Sequence, residues 1–247
     1  MEKKFELTEK YVVNELGTKL YQIKCTKTFE YAKEGEIGGF IEKEENLSQE
    51  GDAWVSGNAR VEGNAWVSGD ARVSGNARVF GDARVLGNAR VSDDARVLGD
   101  ARVYGNARVY GNARVSGNAR VEGNARVSGN ARVEGNAWVY GDAQVSGNAR
   151  VLGDARVYGN ARVSGNACLK SDADHCGFDC FGSSNRHTHA YLTGDNTVEI
   201  TCGCFRDSIE EFEKKVKKTH DGTVYENQYN AIINVIKIKF GLDETSK

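Results

Sequence analysis

A six-residue repeat fills the middle of the chain and constrains the fold more than any other feature. From residue 51 to residue 170 the sequence divides into twenty hexads without an insertion. The first position is Gly in nineteen hexads, with Asp93 the exception, the second is always Asn or Asp, and the third is always Ala. The fourth is Arg in fifteen hexads, the fifth is Val in nineteen, with Leu169 the exception, and the sixth varies. Such regularity is typical of stacked units that bury one continuous core.

Alternation within each hexad predicts a short strand followed by a corner. The Ala and the Val lie two residues apart and therefore share one side of a strand, while the fourth and sixth residues point to the other side. The Gly–Asn or Gly–Asp pair is turn chemistry, because both residues tolerate positive φ. So short a corner does not suit a stack of hairpins, but it suits a coil in which each strand bonds to the strand one coil above.

The pattern V-x-G-N-A-R resembles the hexapeptide repeat of left-handed parallel β-helix proteins, which place three hexads in each triangular coil. The resemblance covers 120 of the 247 residues. It implies a mainly β fold of about seven coils, a stack of roughly 33 Å at the ~4.8 Å strand spacing. It implies little about activity, because one fold hosts many functions.

Two different segments flank the repeat. Residues 1–50 predict short strands with a turn at Gly17, and the six-residue spacing of Ile41 and Leu47 indicates an irregular first coil. We expect this segment to be an N-terminal β cap, because a solenoid end is an open row of strand edges. The solenoid itself is predicted to span residues 51–176.

Residues 177–247 predict a small α+β domain. A β-hairpin turns near Gly194, and a first helix begins at the capping box of Ser208 and Glu211. A second helix has an apolar face and completes a helical hairpin. The segment "EIGGFIEKEENLSQEGDAWV" and the tail elements "CGCF" and "EEF…V…TH" resemble those of bacterial and phage hexapeptide-repeat proteins. Some members of that group are labelled acyltransferases on their fold alone.

Charge and hydropathy exclude some classes of protein. Residues 1–50 carry net charge −3, residues 51–170 carry +5 and residues 171–247 carry −4, too little to indicate a nucleic-acid partner. No apolar run is long enough to span a membrane, and the N-terminus lacks the apolar core of a signal peptide. We expect a cytoplasmic protein, in the host cytoplasm if a phage encodes it, and its six cysteines to be free thiols.

Acyl transfer is the enzymatic alternative. Hexapeptide acyltransferases use a His as general base, but no His precedes His175 and the repeat has no inserted loop. The sequence therefore favours a protein without catalytic activity. An acyltransferase that borrows a His from the tail remains the alternative, as does binding of a small anionic ligand by Arg186, Arg206 and the tail histidines.

Clustered His and Cys residues raise the alternative of a metal site. No cofactor is expected elsewhere, but thiolates and imidazoles suit zinc. The alternative is that the cysteines are small buried hydrophobes and that "CGCF" marks the end of a strand. The candidate ligands are His175, Cys176, Cys180, Cys202 and Cys204. His187 and His189 lie in the same part of the sequence.

With three hexads in each coil, every third hexad lies on the same side of the solenoid, which predicts three faces. The first face carries an arginine column that could hold a polyanion, with Arg72, Arg90, Arg108 and Arg126 as its candidates. We favour the other interpretation, in which these arginines are solvated covers whose stems pack on their neighbours. Nucleic acid is therefore an unfavoured alternative partner.

The third face carries apolar residues on an otherwise charged body. Aromatic residues together with Arg are typical of interface cores, and the related fold often trimerises. We therefore expect a homo-oligomer, with a trimer as the suggested form, or a macromolecular partner that the sequence does not identify. The candidate contact residues are Trp66, Leu86, Tyr104, Trp138, Tyr140 and Tyr158. The sequence thus predicts a structural or binding solenoid that presents a rigid surface, and the resemblance of its two ends implies a phage or prophage protein.

Overall fold

The computed structural model describes residues 3–242 and consists mainly of short strands. An N-terminal segment contributes β1 (Phe5–Val13), β2 (Lys19–Cys25) and β3 (Ile37–Ile41), followed by a 3₁₀ helix at Glu44–Asn46. Twenty short strands, β4 to β23 in chain order, form a parallel β-solenoid of about seven coils. The fold predicted from the hexads is confirmed.

The twenty strands stack into three sheets, because each strand pairs in parallel with the strand eighteen residues away. Arg90, for example, lies between Arg72 and Arg108. The sheet of the first face contains Trp54–Val55, Arg72–Val73, Arg90–Val91, Arg108–Val109, Arg126–Val127, Gln144–Val145 and Arg162–Val163. That of the third face contains Trp66–Val67, Arg84–Val85, Arg102–Val103, Arg120–Val121, Trp138–Val139 and Arg156–Val157. The second face contains Arg60–Val61, Arg78–Gly81, Arg96–Gly99, Arg114–Val115, Arg132–Val133, Arg150–Val151 and Cys168–Leu169, and β1, β2 and β3 extend its sheet.

The core of the solenoid is a column of small side chains. Every Ala at position three and every residue at position five is buried. The alternation of the hexad therefore places the Ala and Val inside, as predicted, and leaves positions four and six on the surface, except at Trp54, which is buried beside the Phe29 ring. Within the hexads the core positions hold only Ala, Val and one Leu, and larger buried side chains such as Leu47 and Tyr191 join this core at its two ends.

Corner residues explain why the first two positions of the hexad are so uniform. All nineteen corner glycines have positive φ, and Asp93 adopts the same conformation at φ 60°. At Gly129 an added Cβ would lie 3.0 Å from the backbone nitrogen of Gly147 in the next coil. The Asn side chains form ladders along the stack, with Nδ2 of Asn112 donating to Oδ1 of Asn130 at 3.2 Å.

The N-terminal segment covers the open carbonyls of the first coil. The backbone N–H of Phe40 donates to Ala59, and the N–H of Ser48 donates to Val67. Where no backbone N–H reaches a carbonyl of the first coil, a side chain donates the hydrogen bond instead. Nζ of Lys4 donates to the carbonyls of Gly51 and Ala53, and Nδ2 of Asn46 donates to those of Gly63 and Ala65.

The solenoid ends earlier than the sequence predicted. Its last strand is Cys168–Leu169, and a 3₁₀ helix at Asp172–Asp174 follows. Oδ2 of Asp174 accepts the N–H groups of Lys170 and Ser171, which ends the coil. His175 and Cys176 therefore do not continue the third face, and the boundary predicted at residue 176 is replaced by the start of a new sheet.

A terminal domain packs on the last coil. Its antiparallel sheet has the order β24 (His175–Phe181), β25 (Arg186–Leu192), β26 (Val198–Cys202) and β27 (Phe205–Ser208). The helices α1 (Ile209–His220) and α2 (Val224–Phe240) cover one face of this sheet. The opposite face meets the solenoid, whose core is closed by the fully buried ring of Tyr191. The predicted hairpin (β25 and β26) and helical hairpin are present, but β24 before the β-hairpin and β27 between it and the helices were not predicted.

Ser208 caps α1, because its side chain accepts the N–H of Glu211, and Thr223 caps α2 in the same way. Gly241 ends α2 in the left-handed conformation. Within residues 3–242, no helix is both long and apolar enough to cross a membrane.

Candidate functional site

Three stacked rings on the third face form the most distinctive surface of the solenoid, which we call the aromatic cluster. It consists of Trp138, Tyr140 and Tyr158. The ring centroids of Trp138 and Tyr140 lie 4.6 Å apart, and those of Tyr140 and Tyr158 lie 5.4 Å apart at an interplanar angle of 20°. Tyr158 is 54% exposed, and the other two rings are half-buried. The guanidinium of Arg120 lies 6.0 Å from the Trp138 ring, within cation–π range.

The other predicted members of the third-face stripe stand apart from this cluster. Trp66 is 41% exposed and lies in the first coil, four coils from Trp138. Leu86 and Tyr104 are half-buried on intermediate coils, and Glu122 separates Tyr104 from Tyr140 in the column. The structure thus brings together three of the six predicted residues.

Arginine columns follow the first and second faces in register. Arg72, Arg90, Arg108 and Arg126 occupy successive strands of the first face, as the spacing predicted. The guanidinium of Arg72 lies 4.3 Å from the Tyr31 ring centroid, and the three others are exposed. Within residues 3–242, Arg78 is the only arginine of the repeat with a carboxylate within 4.0 Å, that of Glu15 at 3.8 Å.

The predicted zinc ligands lie on opposite sides of the terminal sheet. The His175 side chain is buried on the side that faces the solenoid, where its ring contacts the His189 ring. Cys176 packs against the helix-facing core, and Cys202 is buried in it. Cys180 and Cys204 are exposed.

Strand alternation explains this separation, because neighbouring residues of a strand point to opposite faces. Residues 3–242 contain no group of three or more His, Cys, Asp or Glu side chains arranged to hold a metal ion. Burial raises the pKa of the Cys176 thiol to about 11, which disfavours the thiolate that binds metal. The structure therefore does not assemble the five candidates into one site, and zinc binding stays an untested prediction.

Arginine and glutamate pair on the solenoid-facing side of the same sheet. Arg206 forms an ion pair with Glu199, whose Oε1 also accepts the hydroxyl proton of Tyr191 at 2.6 Å. The bond to Glu199 raises the pKa of Arg206. Arg206 is thus engaged within the protein rather than held open for an anion, and Arg186 lies elsewhere, beside Gly203.

Sequence reasoning missed the hydrogen-bonded histidines between the terminal sheet and the last coil. Nδ1 of His175 and Nε2 of His189 lie 3.0 Å apart, and Nδ1 of His187 lies 2.7 Å from Oδ1 of Asp179. Burial lowers the pKa of both His175 and His189. The H-x-H spacing of His187 and His189 was the available signal, since it places both side chains on one face of a strand.

Comparison with known families agrees with the fold. A family model described as the YdcK beta solenoid repeat matches the chain eight times, at residues 53–69, 71–87, 89–105, 101–116, 113–128, 125–141, 143–157 and 155–169. These matches lie within the hexads and identify a β-solenoid repeat protein. No curated protein matches the chain.

Proposed function

We propose that the protein is a non-catalytic binding solenoid whose third face docks another protein, with a second copy of the same chain as the occupant. The aromatic cluster is the observation that carries this proposal. Tyr140 and Tyr158 stack in register on neighbouring coils, and the tilted Trp138 ring packs beside Tyr140. Arg120 flanks this cluster on a surface that is otherwise charged and repetitive. Aromatic residues beside arginine are the composition of interface hot spots.

A buried donor adds to the case for docking. Nε1 of Trp138 is buried and has no hydrogen-bond partner within residues 3–242. A buried donor without a partner is costly, and an acceptor supplied by a docked protein would remove that cost. Tyr158 offers the exposed edge of the cluster at which contact would begin.

Periodicity favours a second copy as the occupant. The coils of both copies would repeat at the same strand spacing, so that a contact made at one coil can recur at the next. Closed symmetric assemblies are the usual form of soluble oligomers. The resemblance of the tail to phage and prophage proteins is our reason for placing this assembly in a phage-derived system.

The non-catalytic part of the proposal is supported by the distribution of histidine. Residues 51–170 contain none, so the exposed faces of the solenoid lack the imidazole base that acyl transfer would use. His175, His187 and His189 lie at the C-terminal end instead. Titration with acetyl-coenzyme A tests this part, and saturable binding with product formation would contradict it.

Sedimentation velocity at tens of micromolar tests the docking. The wild type should sediment as an oligomer, and Trp138→Glu with Tyr140→Glu should sediment as a monomer with an unchanged circular dichroism spectrum. Tyr110→Glu is the matched control, because Tyr110 is an exposed ring of the first face. A monomeric wild type, or equal dissociation by Tyr110→Glu, would contradict the proposal.

Polyanion binding is a second candidate, favoured by the arginine columns. Arg90, Arg108 and Arg126 are exposed, and none of them has a carboxylate within ion-pair distance in the described chain. A polyanion bound along this column would release counterions, so its affinity would fall steeply with salt. Binding of heparin or duplex DNA at 50 mM salt, lost in Arg90→Gln with Arg108→Gln, would support this candidate, and no binding would remove it.

A further inference from the structure

A cavity of about 270 Å³ lies where the last coil meets the terminal sheet. It is bounded by side chains from both parts of the molecule, and Cys176 of the terminal sheet is among the residues that line it. Three histidines line it together with two carboxylates and one exposed ring: His175, His187, His189, Asp172, Asp179 and Tyr158.

Hydrogen bonds fix which nitrogen carries the proton in two of these rings. Burial lowers the pKa of His189 to about 3, so the ring is neutral at pH 7. Nδ1 of His189 lies 3.3 Å from the carbonyl oxygen of Arg162, which can only accept, so Nδ1 carries the proton. Nε2 of His189 must then accept, and Nδ1 of His175 donates to it at 3.0 Å. In the neutral His175 ring, Nε2 is left with a lone pair.

A carboxylate fixes the third ring in the same way. Oδ1 of Asp179 accepts the proton of Nδ1 of His187 at 2.7 Å, so a neutral His187 also carries a lone pair on Nε2. Gly177 makes room for this ring. A Cβ at Gly177 would lie 2.6 Å from Cε1 and 2.9 Å from Nε2 of His187.

Both lone pairs are buried without a partner. Nε2 of His175 and Nε2 of His187 have no hydrogen-bond donor within residues 3–242, and His175 as a whole is only 8% exposed. Buried acceptors are almost always satisfied in folded proteins. Asp172 and Asp179 add negative charge to the same wall. The cavity therefore offers acceptors and negative charge together.

We propose that this cavity binds a small organic cation that carries N–H donors, an ammonium or a guanidinium group. Such a cation would donate to the two free Nε2 atoms, neutralise the Asp172 carboxylate and contact the Tyr158 ring. Planar guanidinium groups stack on aromatic rings and donate in several directions at once. The absence of any three converging metal ligands among the described residues favours an organic cation over a metal ion.

Nitrogen-15 NMR of the histidine rings in the full chain tests the proposal. Methylguanidinium is the probe, and tetramethylammonium is its matched control, because it has the same charge and no N–H donor. Methylguanidinium should saturate and shift the Nε2 resonances of His175 and His187, while tetramethylammonium should bind about tenfold more weakly or not at all. Equal binding of both cations, binding of neither, or Nε2 shifts produced only by Zn²⁺ would overturn the proposal.

Variants locate the binding within the cavity. His187→Phe removes one acceptor at a partly exposed position and should weaken methylguanidinium binding about tenfold. His175→Phe should do the same, and if its burial prevents folding, His187→Phe and Asp172→Asn decide the outcome. His220→Phe is the matched control, since His220 contacts Tyr225 and Tyr229 in the terminal domain. Unchanged affinity in both His187→Phe and Asp172→Asn would overturn the proposal.

Discussion

Replacing Asn46 by Leu tests how much closure of the first coil stabilises the solenoid. The Asn46 side chain is fully buried. Its Nδ2 donates to the carbonyls of Gly63 at 3.0 Å and Ala65 at 2.8 Å, and its Oδ1 accepts the N–H of Lys43 at 2.9 Å. Leu has a similar size but neither donates nor accepts, so three backbone groups lose their partner.

The surroundings of these three bonds set the size of the effect. A buried polar group left without a partner costs about 1–3 kcal/mol. The bond to Ala65 is buried, whereas the bonds to Gly63 and from Lys43 are partly buried, so that water replaces part of what they lose. We therefore expect Asn46→Leu to lower the free energy of unfolding by about 3–5 kcal/mol.

Chemical denaturation followed by circular dichroism measures this change, with Asn130→Leu as the matched control. Asn130 belongs to an exposed ladder, in which it accepts from Asn112 at 3.2 Å and donates to Asn148 at 3.0 Å. Its loss should cost about 1 kcal/mol. Equal losses in the two variants would refute the capping role of Asn46.

Three further outcomes follow from the geometry. Gly129→Ala should destabilise the fold more than Gly159→Ala in thermal melts, because both residues have positive φ but only at Gly129 would a Cβ meet the next coil; equal melting temperatures would contradict this. Burial lowers the pKa of His189 to about 3 in the folded protein, whereas a histidine in the unfolded chain has a pKa near 6.5. Between pH 3 and pH 6.5 the unfolded chain therefore binds more protons than the folded protein, so stability should fall as the pH falls from 6.5 towards 3. His189→Phe should show a smaller loss, with the buried His175 contributing what remains, and an identical pH dependence in both proteins would count against this explanation. Added salt should raise the melting temperature by screening the in-register arginines, and a decrease would show that their repulsion is not significant.

The solenoid could be predicted almost completely from the sequence. Period-two alternation fixed which side chains are buried, and the six-residue period fixed the corners. The pairing of Arg90 with Arg72 and Arg108 follows once three hexads form a coil. The Asn ladders follow from the same eighteen-residue offset, because it places the second position of one hexad beside the second position of the hexad in the next coil.

The two ends were less predictable because their contacts depend on tertiary packing. Lys4 looks like a solvated charge in "MEKKFEL", yet it is buried below the first coil. Strand β24 was not recognised, since its glycine and two cysteines suggested a metal motif rather than a strand. Without that strand, the separation of His175 from Cys176 could not be derived. The aromatic cluster was expected as a longer stripe, but Glu122 interrupts the column.

Site-specific photo-crosslinking tests the central claim, that the third face is the docking surface, most directly. A benzophenone side chain would replace Tyr158 in one variant and Tyr110 in another, both exposed rings on different faces of the solenoid. The account predicts that irradiation of the Tyr158 variant links two copies of the chain, with the linked peptides from the third face, and that the Tyr110 variant gives few links. Equal cross-linking from both positions, or none from position 158, would contradict the claim.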